Sequence, residues 1–222
     1  QLLGMVIGSS AVSMGVLLGT FMGGMSLGSL FSPRIIPARF HPVRVYALLE
    51  LGIGIIGVLV LYGVPYAGGL YVAYGGSGFA GLLLRGVVSG LCLLPPTFLM
   101  GATLPAVARW LKATPSGVSW LGLFYGGNIA GAVFGSLLTG FYLLREYDMM
   151  VATYAAVAIN ISVACTGLWL SKRIPRPSIE SSPADASVTR AKGAWTVYVT
   201  IALSGLCALG AEVVWTRILS LM

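Results

Sequence analysis

Six long apolar runs, separated by short polar gaps, leave this chain little choice of fold. They fall at about 5–31, 45–65, 79–108, 118–144, 149–171 and 194–216. A helix rises 1.5 Å per residue, so about 20 mainly apolar residues cross the hydrocarbon core of a bilayer. Backbone amides in lipid must be satisfied within their own segment, which a helix achieves and an isolated strand does not. The expected fold class is therefore all-α, a polytopic transmembrane helical bundle of about six spans.

Charge supports the same reading. Only 9% of the 222 residues are charged, 57% are hydrophobic and the mean hydropathy is +0.93. A soluble domain covers its surface with roughly a quarter charged residues. The lipid bilayer is thus the first partner the chain implies. A net charge of +7 does not indicate nucleic acid, because the basic residues lie in the gaps between apolar runs, where membrane proteins carry their topological signals. The gaps at 32–44, 109–117 and 172–193, with Arg109 and its neighbours, hold ten Lys and Arg, against three on the alternate side at Arg85, Arg145 and Arg217. This asymmetry puts 32–44, 109–117 and 172–193 in the cytoplasm of a bacterial inner membrane.

The topology implies a repeat. Residue 1 and the end at Met222 fall on the same, periplasmic side, so the run at 194–216 is in phase to begin a second copy of the unit. On this reading 1–171 holds five spans of a first repeat whose first span is missing. The stretch 172–193, mixed in Pro, Ser and charge, is a cytoplasmic linker, and 194–222 is the first span of a second repeat. Neither end reads as a terminus, so the remainder of the same chain is the expected partner. Parallel six-helix repeats are the architecture of major facilitator transporters.

Glycine is patterned. Gly15, Gly19 and Gly23 recur at intervals of four, with Gly24 and Gly28 one residue on, and Gly127, Gly131 and Gly135 do the same in the fourth run. Residues four apart share a helical face, and glycines there let two backbones approach. Such faces either pack helices or slide as gating surfaces. Pro95, Pro96 and Pro105 interrupt the third run and remove backbone donors, and Thr97 and Thr103 are placed to satisfy the freed carbonyls. Cys92, Cys165 and Cys207 lie in apolar runs and read as small hydrophobes rather than a disulfide or metal set.

Few polar groups enter the spans. Glu50 is the one acid well inside a run, and a carboxylate there is costly unless paired or protonated. It either holds the 32–44 loop or serves as a proton or cation site. Asn128 and Asn160 are expected to make interhelical hydrogen bonds. With Thr103 they complete a candidate intramembrane polar site. No catalytic, metal or cofactor constellation is evident, and His41 stands alone in a basic loop.

The order of segments carries a resemblance. GSSAVSMGVLLGTFMGGMSLGSL (8–30) precedes RVYALLELGIG (44–54), PPTFLMGATLPAVARWL (95–111) and LFYGGNIAGAVFGSLLTGFYLL (123–144), with ALGAEVVWTRILSL at 208–221. This series resembles the membrane regions of bacterial fused transporter-like, spermidine synthase-like proteins. The resemblance implies a membrane domain of two related halves, often followed by a soluble domain like that of polyamine aminopropyltransferases. The glycine-rich nucleotide loop and acidic substrate residues of those enzymes have no counterpart here, so no catalytic residue carries over. Three functions follow as expectations: a membrane region anchoring an aminopropyltransferase-like domain and moving its substrate or product; a secondary transporter of a cation such as a polyamine, with no enzyme attached; or a structural membrane scaffold.

Overall fold

The computed structural model describes residues 11–37, 39–74, 79–112, 117–174 and 194–219, and every regular element among them is helical. The helices are α1 (Ala11–Ile35), α2 (Pro42–Tyr74), α3 (Phe79–Lys112), α4 (Gly117–Leu138), α5 (Met149–Arg173) and α6 (Ala194–Leu219). α4 continues through a π-helical turn, Thr139–Leu143, into a short last turn at Leu144–Glu146. All six contain a stretch long and apolar enough to cross a membrane. The chain is thus an all-α, multi-pass membrane bundle.

Local chemistry sets the ends. Pro42 occupies the first position of α2, where its fixed φ suits a helix and its missing amide costs no bond. The His41 carbonyl accepts the Val45 amide at 3.0 Å to open the first turn. Asp148 caps α5, its side chain accepting the Val151 amide at 2.9 Å. α5 closes with Lys172 and Arg173 in its last turn, cations placed against the negative end of the helix dipole.

Several boundaries differ from the hydropathy reading. α2 does not stop at 65 but runs through Pro65 to Tyr74, because the segment that follows is uncharged and one proline frees a single carbonyl. α1 absorbs Pro33 and Arg34, and α2 begins at Pro42, so the basic loop of 32–44 shortens to 36–41. The gap at 109–117 shortens likewise: 109–112 belong to α3 and Gly117 opens α4. Most of the expected linker 172–193, and the first residues of the run at 5–31, lie outside the described residues.

The threonines also act differently from expectation. Prolines at 95, 96 and 105 free the carbonyls of Leu91, Cys92 and Gly101, four residues earlier. The Thr97 hydroxyl instead donates to Leu93 and Leu94, and that of Thr103 to Met100. A threonine reaches only the carbonyls three and four residues before it, and those freed lie further from Thr97.

Three seams define the bundle, and their residue pairs give helix directions. α1 and α3 run parallel: Gly24 meets Leu94 and Thr97, Gly28 meets Phe98 and Ala102, and Gly101 meets Met25. α2 and α3 run antiparallel, with Gly52 against Leu99 and a buried cluster of Leu49, Ala102 and Ala106. α2 and α5 are also antiparallel, pairing Ala47 with Gly167 and Gly54 with Asn160, then Tyr62 with Tyr154 through their hydroxyls. None of the spanning residues of α4 or α6 is buried. Phe141 is 74% and Trp215 70% exposed, surfaces that suit lipid rather than water.

On α1 the close approaches fall on one of the two rows of glycines, and Gly101 of α3 meets the same seam. A β-carbon at Gly24 would strike the Thr97 hydroxyl, at Gly28 the Phe98 carbonyl, and at Gly101 the Met25 carbonyl. Gly15, Gly19 and Gly23 have nothing within 4 Å of the same position, nor do Gly127, Gly131 and Gly135 on α4. The seam rotates α1 so that the second row, at 24 and 28, faces α3. In lipid, where burial of apolar area gives little drive between helices, such backbone proximity supplies the attraction.

Candidate functional site

The seams bring the basic segments to one end of the bundle. Arg109, near the end of α3, reaches across to the end of α1 and donates from Nη2 to the carbonyls of Pro33 (3.3 Å) and Ile36 (3.1 Å). Pro37 explains the first bond. In a continuing helix the amide four residues on would bond the Pro33 carbonyl, and proline has none. A guanidinium takes the place of that amide. It also sets a positive charge at a helix C-terminus, favourable by roughly 0.3–1 kcal/mol.

His41 ties the neighbouring corner. Its side chain is buried, 5% exposed, and Nε2 donates to the Ile174 carbonyl at 3.3 Å. A carbonyl only accepts, so Nε2 carries the proton. Nδ1 is buried with no partner among the described residues. The bond joins the start of α2 to the end of α5, and so places Arg39, Arg44, Lys172 and Arg173 around one corner. Arg173 stacks over the Trp169 ring at 5.1 Å. Sequence reading left His41 without a partner, since the carbonyl it meets lies 133 residues away.

Beside this corner lies a cavity of about 450 Å³. Pro42, Val43 and Tyr46 of α2 form one wall, Val107 and Trp110 of α3 another. Phe124 of α4 and Val163, Thr166 and Leu170 of α5 complete it. Trp110 and Phe124 meet edge to face at 6.3 Å. The polar atoms of the lining are largely engaged elsewhere: Ser162 donates to Ala158 at 2.7 Å and Thr166 to Ser162 at 2.8 Å, each within its own helix. The interior is accordingly apolar.

Glu50 sits one turn beyond Tyr46 on α2, and the two side chains lie close enough to interact. Tyr46 thus connects the cavity wall to the carboxyl. Asn160 packs its β-carbon against Gly54, one further turn along α2. Glu50 and Asn160 therefore lie along the same stretch of α2, while Asn128 is exposed on α4 and Thr103 spends its hydroxyl on Met100. The structure adds Tyr46, His41 and Arg109 to the functional candidates. The four-residue spacing of Pro33 and Pro37 was the signal for Arg109, because it predicts an unbonded carbonyl. Among the described residues no three His, Cys, Asp or Glu side chains gather as metal ligands.

No family model, curated protein or solved structure matches the chain.

Proposed function

We propose that the chain is the membrane-embedded region of a spermidine synthase-like integral membrane protein of the bacterial inner membrane. It anchors an aminopropyltransferase-like domain on the cytoplasmic side and passes that domain's polyamine substrate or product. The observation that carries the reading is the ordered series of motif segments. Two of them, GTFMGGMSLGSL and PPTFLMGATLPAVARWL, supply the residues of the closest seam, Gly24 and Gly28 against Thr97, Phe98 and Gly101. The motifs are thus packing residues of a bundle, as an anchoring role requires. Reading the coding sequence past Met222 tests the proposal. It predicts about five more apolar spans of about 20 residues, then a strand, a glycine-rich turn and a helix. A stop codon directly after Met222 contradicts it.

The Tyr46–Glu50 pair favours a second reading, a secondary transporter of a cation such as a polyamine. An intramembrane carboxyl is a default candidate for cation or proton handling, and this one is linked to the cavity wall. In proteoliposomes, Glu50→Gln is expected to lower polyamine uptake by about tenfold or more, the loss of a charge-assisted contact of roughly 1.5–3 kcal/mol. Unchanged uptake would remove Glu50 from the mechanism. Absence of uptake by the parent protein would remove the reading.

A further inference from the structure

We infer that the cavity at the basic end is a binding site for one acyl chain of an anionic phospholipid, its headgroup held by the cations at the rim. The inference is independent of any enzyme or transport role. Three observations converge on it. The interior is lined by hydrocarbon and aromatic surface from Val43, Val107, Trp110, Phe124 and Val163, and its hydroxyls at Ser162 and Thr166 are already bonded to their own helices. Apart from Tyr46 at the edge toward Glu50, such a lining offers little to a polar solute and suits an alkyl chain. The opening lies between membrane-spanning helices, where lipid is the surrounding solvent, and α4 on one side has no buried residue in its spanning stretch.

The rim supplies the charge. Arg44 follows the lining residues Pro42 and Val43 directly, and Arg173 stands one turn beyond Leu170. The His41–Ile174 bond draws these two helix ends together. No Asp or Glu occurs in 32–49, 104–112 or 162–174, so the cations at this corner are not neutralised by those segments. Arg109 is engaged with the α1 carbonyls, which leaves Arg39, Arg44, Lys172 and Arg173 as the exposed cations of the corner. Basic pockets between helices at one membrane face attract anionic headgroups, each cation adding to the preference. A zwitterionic headgroup gains little from the same arrangement.

Trp110 in the cavity wall provides the readout. Three single-tryptophan proteins are made, keeping Trp110, Trp120 or Trp195 and changing the other tryptophans to Phe. Each is reconstituted into phosphatidylcholine bilayers holding a minor fraction of phosphatidylglycerol or phosphatidylcholine with brominated acyl chains. Bromine quenches tryptophan on contact. The expected result is quenching of Trp110 that corresponds to about fivefold enrichment of the anionic lipid over the zwitterionic one, the preference given by about one effective cation. Trp120 and Trp195, which do not line the cavity, show no such preference. The double variant R44Q/R173Q, altered only at exposed side chains, at least halves the anionic preference seen by Trp110, Arg39 and Lys172 holding the remainder. Equal quenching of Trp110 by both lipids would overturn the inference, as would quenching by neither, which would mean that another occupant fills the cavity. An anionic preference shared by all three tryptophans, or one that R44Q/R173Q leaves unchanged, would also overturn it.

Discussion

Gly101→Leu is expected to unfold at a midpoint about 5–10 °C below the parent chain in detergent, while Gly19→Leu keeps the thermal stability of the parent chain. Both glycines lie in membrane-spanning helices, and the substitutions add the same atoms. The difference is what the new β-carbon meets. At 101 it falls on the Met25 carbonyl of α1, a backbone atom that moves only if the whole helix moves. At 19 nothing lies within 4 Å. Overpacking of a side chain typically costs about 1–3 kcal/mol and more where backbone must shift, a large part of the roughly 5–15 kcal/mol that holds a domain together. Gly28→Leu should behave like Gly101→Leu, because its neighbour is the Phe98 carbonyl. Thermal unfolding of the purified variants followed by tryptophan fluorescence checks this. Similar midpoints for the 19 and 101 variants would mean that the α1–α3 seam is not where the bundle is held.

Removal of the Arg109 guanidinium is the second large effect. Arg109→Met should destabilise the chain by about 2–3 kcal/mol, the cost of leaving carbonyls without a charged donor. It should also open the 36–41 turn to protease. Arg109→Lys recovers part of the loss, since an ammonium donates but lacks the breadth of a planar fork. A compensating change gives the sharper test. Pro37→Ala restores an amide four residues after Pro33. In the Arg109→Met background it should return the part of the stability that the Pro33 bond supplied, whereas in the parent it should change little. This non-additivity is the signature of two groups competing for one acceptor. Additive effects of the two substitutions would contradict the assignment.

These two cases show what the sequence makes legible and what it does not. Hydropathy located all six helices, because the length of a span is set by the bilayer and requires no knowledge of the partner. Hydropathy was weaker at the ends: α2 continues past Pro65 because apolarity alone does not say where an uncharged helix stops. The glycine rows in α1 were visible as spacings of four, but two rows, at 15, 19, 23 and at 24, 28, are offset by one residue. Which row faces a neighbour depends on the rotation that α3 imposes, and periodicity within one helix holds no information about that. Among the polar candidates, Glu50 stood out as an acid in an apolar run. Tyr46 did not, because a tyrosine in such a run is ordinary until its hydroxyl is seen beside the carboxyl. His41 and Arg109 looked like members of a basic loop, whereas both spend their donors on backbone carbonyls of distant helix ends.

The most direct test of the account is the side of the membrane on which each end of the bundle emerges. With Cys92, Cys165 and Cys207 replaced by Ala, one new cysteine is introduced by Phe40→Cys in the turn before α2 or Tyr147→Cys between α4 and α5. The cells are then treated with a membrane-impermeant maleimide. The account predicts that position 147 is labelled in intact cells, and that position 40 is labelled only after the membrane is opened. Labelling of both positions from the same side, or labelling of position 40 alone in intact cells, would contradict it.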